Sequence, residues 1–449
     1  MKTQAPSIEA QEQATPAALK YLLAFTIFYI PNQRIFPDFS ITGINITNIL
    51  FVALLVLILG RRHVAPPSPP LKKLFIGYFV VLLWGFLIGQ IYDASRMFDD
   101  LQVLKNAVLY MLLYFVAYYG ACDRKTMRFL FLVLLFTVFF DTYLGLRQVL
   151  DYGFSYNESR RVAAPFSWNS TDANRSSAYY TIYLVPMAVT AFFFPKRFIR
   201  WGALASLAFI IFVNFFTYSR QSYGIIAVLL LLLAARRNPI LVVMLAIALV
   251  NYHAWLPDSV IQRIDMTVET KDVVPGEHAA LNRELDTSTE SRFIIWTGAA
   301  EIFARHPWGI GLNHFPRKIG EYAPDYAGYD AHDYFVLTTT ENGFVAPIIL
   351  VALLVGLFRM GRRLEKSGRD DDPQARFYGL ILWLGTLAVV MVNIYGSRFV
   401  DGNLMSNFWI FAGMAARYLQ LPKAAAGAPV AARAATRRRG LAATRSGTA

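Results

Sequence analysis

Twelve predominantly apolar runs divide this chain, and they constrain its fold more than any other feature. They lie at about 17–31, 47–60, 74–91, 102–120, 128–150, 176–194, 199–217, 222–235, 239–253, 344–358, 377–395 and 404–420. Inside a bilayer no water satisfies the backbone, so such a run crosses as a helix whose hydrogen bonds are internal. Several runs are shorter than the ~20 residues a perpendicular helix needs, and flanking aromatic and basic residues can lengthen them. The pattern predicts an all-α integral membrane protein with about twelve transmembrane helices. Residues 1–16 read as a disordered cytoplasmic tail, 17–253 as the first nine helices, and 254–343 as a long outside loop containing short helices. Residues 344–420 read as the last three helices and 421–449 as a disordered basic cytoplasmic tail. A cleavable leader is not expected, because no short basic start leads into the first run.

The charges orient this arrangement. The chain is 56% hydrophobic with a formal net charge of +13. Loops on one side hold Arg61-Arg62 and Lys72-Lys73, then Arg124-Lys125 and Arg128, Lys196-Arg197 and Arg200, Arg236-Arg237, and Arg359 to Arg369. Loops on the other side are poorer in Lys and Arg relative to acid; Asp93, Asp99 and Asp100 face a lone Arg96 in one of them. That alternation follows the positive-inside rule and puts both termini inside. Basic residues confined to short loops orient a membrane protein rather than bind nucleic acid, so no nucleic-acid partner is expected. Cys122 is the single cysteine, which excludes an intramolecular disulfide. No internal repeat is evident, which weakens a transporter reading.

Two outside segments carry the candidate chemistry. The longer one, 254–343, exceeds an ordinary connection. In it, Thr287-Ser288-Thr289-Glu290 predicts a helix start, and the run Phe293, Ile294, Trp296, Ala300 and Phe303 predicts an amphipathic helix ending at Pro307 and Gly309. His332 sits in Asp330-Ala331-His332-Asp333-Tyr334 at the mouth of a span. A neutral imidazole there can accept a proton from a hydroxyl at working pH, although a hydrogen-bonded interfacial histidine is the structural alternative. On a continuous helix Glu341 would fall opposite His332, with Phe335, Val336 and Thr339 on its face; Glu341-Asn342-Gly343 reads as the helix-ending turn. Arg220, in the tight Ser219-Arg220-Gln221-Ser222 turn, would face an anionic partner or snorkel to lipid phosphate. Arg292 lies near a helix N-terminus with Trp296 one turn on, which suits an anion or a plain Arg–Trp pair. Arg160, Arg161 and Arg175 add positive charge on the same side, beside Asn174. Together these form an anion site suited to a diphosphate. The histidines lack the i, i+4 spacing of a helical zinc site, so no metal is expected.

Four pieces together resemble the O-antigen ligase and O-antigen polymerase superfamily of bacterial envelope glycan transferases. They are the Ser219-Arg220 turn, Ser291-Arg292-Phe293-Ile294-Ile295-Trp296 running on to Pro307-Trp308-Gly309-Ile310-Gly311, His332-Asp333-Tyr334 leading to Glu341-Asn342-Gly343, and the Arg161 to Asn174 segment. The resemblance implies a multi-pass protein of the bacterial inner membrane whose long loop and active site face the periplasm. It implies a metal-independent, inverting glycosyltransferase without a cofactor. The donor would be a glycan on undecaprenyl diphosphate, and the acceptor lipid A–core or another carrier-linked glycan. By position, His332 would be the base, and Arg220 and Arg292 would hold the diphosphate with Arg161 and Arg175. Asp333, Tyr334, Trp296 and Asn174 would support them. Asn342-Gly343-Phe344 departs from the family's commoner Thr-Gly-Leu or Thr-Gly-Ile ending. The alternative classes are a transporter or flippase for the same lipid-linked glycan, and an assembly scaffold.

Overall fold

The computed structural model describes residues 14–37, 45–61, 66–265, 287–368 and 372–421. Most of the expected N-terminal tail, the basic C-terminal tail beyond Leu421 and the acidic piece around His278 lie outside the described residues. Every regular element described is helical: α1 (Ala17–Tyr29), α2 (Ile46–Leu59), α3 (Lys72–Tyr92), α4 (Met97–Gly120), α5 (Arg124–Tyr152), α6 (Ala173–Phe193), α7 (Arg197–Phe215), α8 (Arg220–Arg237) and α9 (Pro239–Val250). Then follow α10 (Asp258–Asp265), α11 (Thr287–Arg305), α12 (Phe315–Lys318), α13 (Tyr334–Asn342), α14 (Val345–Ser367), α15 (Pro373–Ile394) and α16 (Gly402–Gln420).

Each of the twelve apolar runs falls on one of the helices α1–α9 or α14–α16. Six of these, α3, α4, α5, α7, α14 and α15, are long and apolar enough to cross a membrane. The others miss that standard for physical reasons. α1, α2 and α9 have 13, 14 and 12 residues, and at 1.5 Å per residue α9 is about 18 Å long, short of a ~30 Å hydrocarbon core. α8 carries Arg220, Arg236 and Arg237 within its 18 residues. α6 and α16 are interior helices, buried along almost their whole length, and a helix facing protein rather than lipid has no need to be apolar throughout.

Side-chain bonds sort the helix ends into two groups. At one end Thr15 binds Asp123, Arg124 binds Asp372 at 2.6 Å, and Arg236 binds Glu365 at 2.7 Å. At the opposite end Gln33 binds Asn403 at 3.0 Å and Arg175 binds Asp401 at 2.5 Å. One acidic residue lies inside an apolar run. Asp141 is fully buried within α5, where Asn32 Nδ2 donates to it at 2.6 Å and the Tyr179 hydroxyl also donates. Those donors replace the water that a buried carboxyl loses.

Segment 287–343 builds a small core of its own from Ile295, Ala299, Ile302, Phe315, Ile319 and Ala331. The inward stripe of α11 is therefore one step out of phase with the expected one: Phe293, Ile294 and Ala300 are exposed, and Ile295, Ala299 and Ile302 face inward. Asp100, in the first turn of α4 and wholly buried, fastens this segment to the bundle. It accepts from Arg317 at 2.6 Å, Asn313 at 2.9 Å, His314 at 3.2 Å and Gln90 at 3.2 Å. Gly85 and Gly89, one turn apart on α3, supply the rest of the seam. A β-carbon at Gly85 would overlap Asn342 Oδ1, and one at Gly89 would press on His314 and Gly311. The bare backbone of α3 lets Leu312 N donate to Gly85 O at 3.0 Å.

Asp100→Ala is expected to leave the Arg317 guanidinium with only Asp93, at 3.5 Å, to strip His314 and Asn313 of their acceptor, and to lower stability by about 3 kcal/mol, the usual cost of breaking a buried pair. Thermal unfolding in detergent, with limited proteolysis of segment 287–343, measures this. A variant that melts and digests like the wild type would remove Asp100 as the anchor.

Candidate functional site

α13 begins at Tyr334, not at His332. Asp333 is its N-cap: Oδ1 accepts from Phe335 N at 2.7 Å and Val336 N at 3.0 Å. His332 therefore precedes the helix, in the left-handed region at φ 52. This corrects the shared helical face with Phe335, Val336 and Thr339, since the cap breaks the helical phase before the imidazole. Asp333 emerges as the residue that ends the turn holding His332. On the other flank, Trp296 Nε1 donates to Ala331 O at 2.9 Å. Trp296, expected beside Arg292, thus pins the backbone next to the imidazole. A non-glycine residue in this conformation costs of order 1–3 kcal/mol, and it persists where its neighbours over-determine it.

Three charged groups act on the half-buried imidazole. Burial pushes its pKa below the usual histidine range, the Asp330 carboxylate pulls it up, and the Arg292 and Arg398 guanidiniums push it down. The structure so brings Arg292 and His332 together and adds Arg398, which the sequence reading did not single out. Arg398 belongs to the 395–401 connection between α15 and α16. Tyr334, also buried, fixes that connection. Its ring stacks on Phe399 at 5.2 Å and its hydroxyl meets Tyr78 at 2.7 Å. Arg398 N donates to Asn393 Oδ1 at 3.0 Å, and Arg398 O accepts from Asp401 N at 3.0 Å.

Asp401 leads to the second cationic group. Its carboxylate takes both Nε and Nη2 of Arg175, at 2.5 and 2.7 Å, and the same guanidinium lies 4.4 Å over the Phe166 ring. Arg161 is almost wholly buried, and its fork is committed inside the protein. Nε donates to Thr217 O at 2.9 Å, Nη1 to Glu158 at 2.8 Å and Nη2 to Asn174 Oδ1 at 2.7 Å. Arg161 and Asn174 together brace the start of α6 against the 216–219 turn. Arg220 follows that turn as the first residue of α8 rather than lying within it. Two residues later the Ser222 hydroxyl meets Ser177 of α6, so Arg220 stands at the same end of the bundle as Arg175.

Glu341 has a separate environment. It is buried in the last turn of α13, which ends at Gly343 with φ 83 as the turn signal predicted. Its Oε1 accepts from Phe315 N at 3.1 Å. Burial pushes its pKa up to about 8, against the pull of the Phe315 and Asn313 amides. At neutral pH it therefore carries a proton and serves the 313–315 turn.

A family model described as O-antigen ligase matches residues 173–351. The match runs from the start of α6 into α14 and includes Arg175, Arg220, Arg292 and His332. No curated protein matches the chain.

The raised pKa of Glu341 carries a signed consequence. Folded protein keeps the proton where unfolded chain, titrating near 4.5, has released it, so stability falls as pH climbs from about 4.5 to about 8. Glu341→Gln preserves the acceptor for Phe315 N and lacks that titration. Unfolding measured between pH 5 and 9 should show the wild type losing ground to the variant up to about pH 8, by on the order of 1–5 kcal/mol, and then running parallel. Parallel curves across the whole range would contradict a buried, proton-bearing Glu341.

Proposed function

We propose that this chain, whose residues 173–351 match the O-antigen ligase family model, transfers a glycan from an undecaprenyl diphosphate carrier to an acceptor hydroxyl, with His332 as the base. The observation that carries this reading is the imidazole held between a capped helix and a pinned carbonyl, with Arg292 and Arg398 acting on it. In the step proposed, the acceptor oxygen attacks the anomeric carbon from the face opposite the diphosphate. Its proton passes to the His332 ring, and the carbon–oxygen bond to the carrier breaks, its electron pair leaving with the diphosphate. Inversion follows from the single displacement. Guanidiniums fixed in place before the reaction stabilise the charge that develops on the leaving group, so no metal or cofactor is invoked.

The roles divide further. Arg292 and Arg398 are the residues we assign to the diphosphate near His332, with Arg220 added from the start of α8. Arg175 and Arg161, each held in internal ion pairs, position α6 and the 216–219 turn; Asn174 shares that work, and Asp333, Tyr334 and Trp296 position the base. The twelve-crossing topology, the bacterial inner membrane and the periplasmic face are part of this proposal. Their support is the alternation of basic loops and the sorting of helix ends by side-chain bonds.

His332→Ala is expected to lower transfer by about 10²–10⁴-fold, with carrier-linked glycan accumulating and membrane levels of the protein unchanged. The pH–rate profile of purified protein in detergent gives a sharper reading. Arg398→Ala or Arg292→Ala raises the His332 pKa and moves the acidic limb to higher pH, and Asp330→Asn moves it lower. Limbs that stay put in all three variants would dismiss His332 as the titrating base. Transfer without a sealed bilayer separates the enzyme from a flippase. In a deletion strain, single repeats on the acceptor indicate a polymerase, and long chains left on the carrier indicate a ligase.

Topology is read with Cys122 replaced by Ala. Asp325→Cys, at an exposed site in the long segment, should react with a membrane-impermeant maleimide in intact cells, and Ser367→Cys, at the opposite end of the bundle, should react only after lysis. The reverse pattern would invert the proposed orientation.

A further inference from the structure

An open groove of about 820 Å³ runs along α14 beside the start of α3, toward the end of the bundle remote from His332. Its walls are apolar, with Leu71 and Leu74 on one side and Ile348, Val351 and Val355 on the other, and it ends at Arg359 and Arg363. The two arginines are four residues apart, so they project from one face of α14. Both are exposed. Among the described residues neither has an acidic partner: the nearby Glu365 carboxylate is taken by Arg236 at 2.7 Å and Arg362 at 2.8 Å. Lys72 and Lys73, also exposed, follow Leu71 at the same end.

We infer that this groove binds an anionic phospholipid, with the phosphate on Arg359 and Arg363 and an acyl chain along α14. Three features select that occupant. From Ile348 to Arg363 the helix advances about 22 Å, enough for a chain to pass through one ~15 Å hydrocarbon leaflet and still place its headgroup at the arginines. The planar guanidinium fork matches phosphate oxygens, and a basic pocket between helices at the inner face of a membrane is a recurrent site for acidic lipid headgroups. The chain's own continuation does not fit, because residues 422–449 hold Lys423, Arg433, Arg437, Arg438, Arg439 and Arg445 with no acidic residue. A basic tail cannot neutralise the two arginines. The site is independent of the transfer reaction and stands or falls apart from it.

The test titrates purified full-length protein in a mild detergent with phosphatidylglycerol or phosphatidylcholine and counts bound lipid by native mass spectrometry. The wild type should prefer phosphatidylglycerol about tenfold or more, given two arginines near the headgroup. Arg359→Gln with Arg363→Gln should erase the preference, and Arg359→Lys with Arg363→Lys should keep most of it. Val351→Trp, which fills the apolar wall and leaves both charges, should also release phosphatidylglycerol, and it decides the matter should the glutamine pair fail to fold. Equal affinity for the two lipids, a preference that survives both the glutamine pair and Val351→Trp, or full displacement by millimolar inorganic phosphate would each overturn the inference.

Discussion

One buried carboxylate holds the segment that carries His332 onto the helical bundle. Asp100 gathers Arg317, His314, Asn313 and Gln90 at the top of α4, and Gly85 and Gly89 of α3 let the backbone of 309–312 settle beside them. A charge so deeply removed from water is tolerated because several donors share it. Segment 287–343 has a core of its own, and polar contacts and close backbone approach, rather than apolar burial alone, set its position on the bundle. The placement of the imidazole over the 395–401 connection therefore depends on an electrostatic clasp some way from it.

At the site itself the ordering of effects is consistent. Burial and two guanidiniums keep His332 neutral near physiological pH, which is the form that can take a proton. Asp330 opposes them without reversing the outcome. The cations are spread over three separated stretches, α11, the 395–401 connection and the start of α8. Tyr334 stacked on Phe399 ties the connection to the base, the Asp401–Arg175 pair ties it to α6, and Ser177 with Ser222 ties α6 to α8. An arrangement of this kind is a property of the folded bundle and not of any one motif.

Much of the architecture was legible beforehand, because hydrophobic runs and the side preference of Lys and Arg report directly on helices and their order. That Arg292 would lie close enough to act on His332 was legible as well, through a helix start and a histidine at a span's mouth. What escaped was tertiary. The N-cap at Asp333 shifted His332 off the helix that periodicity implied, and a cap one residue earlier or later leaves the apolar pattern unchanged. Arg398 sits in a seven-residue connection that looked ordinary. The available hint was its place, an arginine in a short connection between two apolar runs, near Phe399 and Asp401. The interior helices α6 and α16 show why a hydropathy threshold passes over buried helices: polar residues that face other helices carry no penalty that hydropathy can see.

The two guanidiniums that depress the imidazole's basicity are also those assigned to an incoming anion. Under that assignment, a doubly charged group between them would largely cancel their field at His332, and the ring's proton affinity would rise. The proposed base would then strengthen as the donor binds, and proton uptake would be coupled to donor arrival.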